Sequence, residues 1–133
     1  MLTIYTDGCC LGNPGIGGWA AIFTKNDLLL DIHYGNLGNT TNNKAELLAL
    51  KAALEKVEKG TPVIIVTDSK NLIGWLSQGW KRKDPYIKEI LEEIEVLIKE
   101  RKLEVSYTHV LGHKGNKYNE MADTYAKKGA ELS

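Results

Sequence analysis

The chain has 133 residues, 43% of them apolar and 26% charged, and its 17 basic residues balance 17 acidic ones. That size and mixture suit one globular domain, expected over residues 1–133, and exclude disordered, collagen-like and coiled-coil classes. A net charge of zero provides no whole-molecule field to draw in a polyanion, so any nucleic acid must be held by local patches or by metal ions.

Residues 2–6 alternate apolar and hydroxyl-bearing side chains and end at Asp7-Gly8, the pattern of a strand. Residues 11–18 are rich in glycine and read as a turn. Two more β-rich runs follow at 19–24 and 28–34, and their short connections predict an antiparallel meander. After Thr40-Thr41-Asn42-Asn43 the period changes: Leu47, Leu50, Leu54 and Val57 recur at helical spacing, and Gly60 is expected to close that helix. Pro62-Val63-Ile64-Ile65-Val66-Thr67 is a nearly continuous apolar run, as in a strand buried on both faces. Asp68-Ser69 follows it, then a short helical stretch through Leu72, Ile73 and Leu76. Asp84-Pro85 marks a capped helix start, with Ile87, Ile90, Leu91, Ile94, Leu97 and Ile98 as its apolar stripe. Residues 103–111 alternate again as a strand. Asn119 is expected to cap a last helix running to about Gly129. The order predicts a mixed five-stranded α/β sheet, three antiparallel strands and then parallel ones, flanked by helices.

No apolar run approaches the roughly 20 residues of a membrane span. Met1 is not followed by a basic start and a long apolar stretch, so no secretory leader is expected. The adjacent Cys9 and Cys10 cannot staple a fold, and a reducing, cytoplasmic setting is expected. A monomer is expected as well, because no exposed interaction stripe is evident.

Asp7 and Asp68 both fall at the ends of predicted strands, and Glu46 in the first turn of the first helix. Parallel neighbouring strands would put Asp7 and Asp68 side by side at the carboxyl edge of the sheet, where open α/β sheets bind ligands. Asp123, early in the last helix, would complete the group. Converging carboxylates repel one another and need bound cations, and oxygen ligands favour Mg²⁺ or Mn²⁺ over zinc. Each acid also has an ordinary explanation. Glu46 lies three residues after Asn43, as in a capping box. Asp68 would serve as a helix cap, Asp123 as the i,i+4 partner of Lys127, and Asp7-Gly8 as a turn. His113, alone in a glycine-flanked loop, suits a proton shuttle or a solvated side chain. The glycine turn does not open a helix and has no Gly-Lys-Ser or Gly-Lys-Thr ending, which excludes dinucleotide and nucleoside-triphosphate loops.

Four blocks of sequence resemble the type 1 ribonuclease H family. They are the stretch from Tyr5-Thr6-Asp7-Gly8 to Gly17-Gly18-Trp19, then Thr40-Thr41-Asn42-Asn43-Lys44-Ala45-Glu46-Leu47, then Val66-Thr67-Asp68-Ser69. The last runs from Gly112-His113-Lys114-Gly115 to Asn119-Glu120-Met121-Ala122-Asp123. The resemblance implies a ribonuclease-H-like fold and endonucleolytic hydrolysis of the RNA strand of an RNA–DNA hybrid, leaving 5′-phosphate and 3′-hydroxyl ends. By matching position it makes Asp7, Glu46, Asp68 and Asp123 the catalytic acids, holding two Mg²⁺ ions, with Mn²⁺ as an alternative. It makes His113 a mobile aid to proton movement or product release. Asn13, Asn42 and Asn43, with backbone amides of the glycine turn, match positions that reach into the hybrid's minor groove, Gly8 is a further substrate-binding position, and Thr41 matches one that grips a DNA phosphate. Trp80 matches, approximately, a residue lying along the DNA strand.

The chain also departs from the family pattern. Cys9 stands where serine is usual, and Asn39 where a basic residue often assists the phosphate grip. The long basic protrusion is reduced to Trp80-Lys81-Arg82-Lys83, and no hybrid-binding domain is expected before residue 1. Three other readings compete: a non-catalytic nucleic-acid-binding module, a DNA-cutting nuclease of the wider superfamily, and a small-molecule enzyme binding phosphate at the glycine turn. The first would be favoured by loss of one acid, yet all four are present. The Thr41-Asn42-Asn43 block and the Gly112-His113 loop oppose the second.

Overall fold

Alternation makes the first strand, but ladder pairing carries it well past the last alternating residue. In the computed structural model, which describes residues 1–111 and 115–132, strand β1 spans Leu2–Leu11, β2 Gly15–Lys25 and β3 Leu28–Thr40. The three form the expected antiparallel meander, with Leu2 opposite Lys25 and Leu11 opposite Ile16. The strands are longer than expected. Asp7 does not end β1 but lies within it, opposite Ala20. The glycines at 15, 17 and 18 belong to β2 rather than to a turn, because all three pair with β3 and those at 17 and 18 pair with β1 as well. A Cβ on Gly18 would collide with the Ala126 carbonyl of the last helix.

Helix α1 (Asn42–Leu54) is capped by Thr41, whose hydroxyl accepts from the Lys44 amide at 3.4 Å. It stops at Leu54 rather than Gly60. Val57 lies beyond it in a tightened turn, its amide donating to the Leu54 carbonyl at 3.1 Å. Strand β4 (Pro62–Thr67) leads into α2 (Lys70–Ser77), capped by Ser69. Helix α3 (Pro85–Glu100) starts as read, at the Asp84 cap with proline in the first turn. Strand β5 is Glu104–His109, shorter than expected. Helix α4 (Lys117–Glu131) is capped by Asn116, not Asn119, since the Asn116 side chain accepts from the Asn119 amide at 3.0 Å.

The sheet order is β3-β2-β1-β4-β5, with β4 parallel to β1 and β5 parallel to β4. Successive side chains of β2 point to opposite faces. Ala21 and Phe23 join Ile4, Leu47, Leu50, Ile65, Leu91 and Ile94 in the main core under α1, α2 and α3. Ile22 packs with Tyr118 and Ala122 of α4 on the other face. Each fully buried leucine or isoleucine contributes about 1.5–3 kcal/mol by leaving water. Among the described residues no helix is long and apolar enough to cross a membrane.

The strand lengths position the site. The β1–β4 ladder runs only from Leu2–Val63 to Tyr5–Val66. Beyond it β4 stops at Thr67, while β1 continues to Leu11 against β2 alone. A crevice therefore opens at the carboxyl edge, with Asp7 on one side and Asp68 on the other.

Candidate active site

Helix α1 comes against β1 at Gly8, where a Cβ would run into the backbone of Ala45 and Glu46. Glycine is required there by close approach rather than by φ. The contact delivers Glu46, the fifth residue of α1, to the crevice. The Gly8 amide then donates both to Oε1 of Glu46 at 2.8 Å and to Oδ1 of Asp7 at 3.0 Å. Glu46 thus lies one turn inside the helix rather than in its first turn, and its carboxylate reaches β1 instead of closing a capping box. Asp68 does not cap α2, because Ser69 does so by accepting from the Leu72 amide at 3.2 Å. Ligand oxygens of Asp7, Glu46 and Asp68 all lie within 4.8 Å of one another.

The cost of this convergence appears in the acids' proton affinities. Burial, then the charges of Asp68 and Asp123, push the Asp7 carboxyl up to about 8, against the pull of its hydrogen bonds with Glu46 and the Gly8 amide. Glu46 is also pushed well above the carboxylate range, first by burial and then by the charges of Asp7 and Asp68. Two carboxyls that resist ionisation beside a third form a site awaiting positive charge. The triad contains no histidine or cysteine, and its oxygen donors fit a hard divalent cation.

Asp123 stands apart from the triad. It lies in α4, and its Oδ2 is 3.0 Å from the Lys127 ammonium, the i,i+4 pair that the spacing predicts. Its charge nevertheless reaches Asp7. Cys9, half-buried on β1, feels both Asp7 and Asp123, and burial pushes its thiol up. His113 lies outside the described residues.

The remaining predicted residues make contacts of their own. Asn13 ties the glycine turn to α1, its Oδ1 accepting from the Asn42 amide at 3.1 Å. Asn43 Oδ1 accepts from Asn71 Nδ2 at 3.1 Å. Asn71 was not singled out by any motif, since a contact between two helices leaves no spacing signal. The Trp80 ring covers Gly74, where a Cβ would collide with it, so Trp80 packs while staying 38% exposed. A cavity of about 550 Å³ is bordered by Met1, Leu2, Phe23 and Pro62, at the opposite end of β1 and β4 from the acids.

Comparison with known proteins places this geometry. The family profile described as RNase H matches residues 1–131. The chain belongs to the RNase H family. It is accordingly an enzyme of the ribonuclease H kind, a hydrolase. Ribonuclease H of Francisella tularensis subsp. novicida is 41% identical, the match covering 96% of this chain and 90% of that enzyme. Ribonuclease H of Francisella philomiragia is 40% identical over 97% and 91% of the two chains. Among solved structures, RNase H1 of Halobacterium salinarum superposes with a TM-score of 0.85 at 27% identity, covering 98% of this chain and 97% of that one. LC11-RNase H1 in complex with an RNA/DNA hybrid superposes at 0.81, with 27% identity and coverage of 98% and 97%. The mixed sheet with its flanking helices is the RNase H fold.

Proposed function

We propose that this chain cuts the RNA strand of RNA–DNA hybrids internally, leaving 5′-phosphate and 3′-hydroxyl ends, and that Asp7, Glu46, Asp68 and Asp123 are its catalytic acids. One observation carries the reading: three carboxylates from separate elements lie within 4.8 Å of one another at the crevice. The hybrid held by LC11-RNase H1, a structural neighbour across nearly the whole chain, supports the choice of substrate.

Asp7, Glu46 and Asp68 would hold one divalent ion, and Asp7 with Asp123 a second, Mg²⁺ in the first place and Mn²⁺ as a substitute. Such ions supply Lewis-acid activation of the attacking water and stabilisation of the departing 3′ oxygen. The chain's own part is to fix the acids before substrate arrives. The Gly8 amide holds Asp7 and Glu46 in register, and the missing Cβ of Gly8 lets α1 come close enough for that. Asn13, Asn42 and Asn43 are assigned to the hybrid's minor groove, Thr41 to a DNA phosphate and Gly8 to substrate binding, and Trp80 keeps an exposed edge for the DNA strand. Choice of RNA rests on the 2′-hydroxyl and on groove shape. His113 is assigned an auxiliary role in proton movement or product release. We also propose one domain, acting as a monomer in a reducing, cytoplasmic setting. Adjacent, unbridged cysteines support that setting.

The deciding experiment incubates the protein with labelled RNA–DNA hybrid, double-stranded RNA and double-stranded DNA, each with and without Mg²⁺. Cleavage of the RNA strand of the hybrid alone, and only with metal, is expected. Cutting of double-stranded DNA, or metal-independent cutting, would overturn the proposal.

A further inference from the structure

On α4, Lys127 is a cation paired with Asp123. Its ammonium lies 3.0 Å from Asp123 Oδ2, and its proton is held more tightly because of Asp123 and, at longer range, Cys9 and Asp7. Asp123 and Lys127 share α4, and that helix is packed in place. Its backbone at Ala126, Gly129 and Ala130 presses against Gly18, and Gly129 presses against Gly35. Asn36 Nδ2 ties down the helix end through the carbonyls of Gly129 at 3.1 Å and Leu132 at 2.7 Å. The Asp123 carboxylate is thus held beside Lys127, with its charge felt at Asp7.

We propose that Lys127 is a tethered cation competing with divalent metal for Asp123, and so sets how much metal the site needs. The inference rests on the reading above that Asp123 is a metal ligand. Charge balance supports it. Four ionised carboxylates are neutralised by two divalent ions, which makes the nearby ammonium surplus and expels it. Metal-free, the same ammonium screens Asp123 from Asp7. The pair can yield because the Lys127 side chain is 59% exposed, and solvated pairs of this kind are weak. Lys127 is therefore a positioning residue, acting on metal through Asp123. Its neighbour Lys128 lies over the Tyr125 ring, 4.9 Å from the centroid, and provides a control.

The test titrates Mn²⁺ into substrate-free protein, reading heat by calorimetry and free Mn²⁺ by electron paramagnetic resonance. Lys127→Met should bind Mn²⁺ roughly two- to fivefold more tightly than wild type. Lys127→Arg and Lys128→Met should both match wild type. In an Asp123→Asn background the gain from Lys127→Met should vanish. Unchanged affinity in Lys127→Met overturns the inference while leaving the function intact, as does a gain that persists without Asp123. Weaker binding in Lys127→Met, restored by Lys127→Arg, is what a purely helix-stabilising ion pair gives, and it also overturns the inference. Failure of wild type to take up Mn²⁺ overturns both the inference and the metal reading beneath it.

Discussion

Asp7 is only 5% exposed and has acids on several sides, so its charge is a burden that folding has to carry. The folded protein keeps a proton on it up to about pH 8, whereas an unfolded chain releases that proton near the ordinary value of 3.8. Between those two values the native state binds more protons, so metal-free stability falls as pH rises. Thermal melts in chelator should give a lower Tm at about pH 9 than at about pH 6, with added Mg²⁺ reversing most of the loss. Asp7→Asn should flatten that slope and raise the alkaline, metal-free Tm, while abolishing Mg²⁺-dependent cleavage and leaving hybrid binding measurable by fluorescence anisotropy. Undiminished cleavage by this variant would refute a shared-ligand role for Asp7. His113→Ala should slow turnover moderately; a dead enzyme would show that the histidine is indispensable.

Each element contributes to the site through backbone contacts as much as through side chains. Gly8→Ala should destabilise by about 1–3 kcal/mol in urea melts and reduce cleavage sharply, because carbonyl and amide atoms of α1 cannot give way as a flexible side chain would. Asp84→Ala removes the acceptor for the Tyr86 amide at 2.8 Å and should cost about 1 kcal/mol by the same measurement, without touching activity. That cap, the α3 stripe and the buried run of β4 were legible in the sequence because capping and periodicity are local signals. So was the meeting of Asp7 and Asp68 at one edge of the sheet. What could not be read is non-local. Residues 35–40 lack clean alternation, yet they extend β3 because β2 offers ladder partners. Thr41 and Asn116 cap where Asn43 and Asn119 had equal claims by type, and only the amide that each side chain meets decides between them. Nothing in residues 8, 18 or 129 announces which neighbouring backbone each glycine admits. The separation of Asp123 from the triad likewise depends on where a whole helix lies.

Across the whole molecule the balance of 17 basic and 17 acidic residues leaves binding to local charge. The reduced run Lys81-Arg82-Lys83 is partly spent internally, since Arg82 holds Glu95 and the Trp75 carbonyl at 3.2 Å. Hybrid affinity should therefore be modest and should decline with salt, with a shallow slope reflecting few phosphate contacts. A nearly flat plot of binding against salt would contradict that picture. The architecture also explains why the chemistry lies where it does. β4 gives out at Thr67 while its neighbour runs on to Leu11. An isosteric exchange at the first residue past that end, Asp68→Asn, would keep the hollow and the Ser69 cap of α2 while removing one of the charges that crowd Asp7.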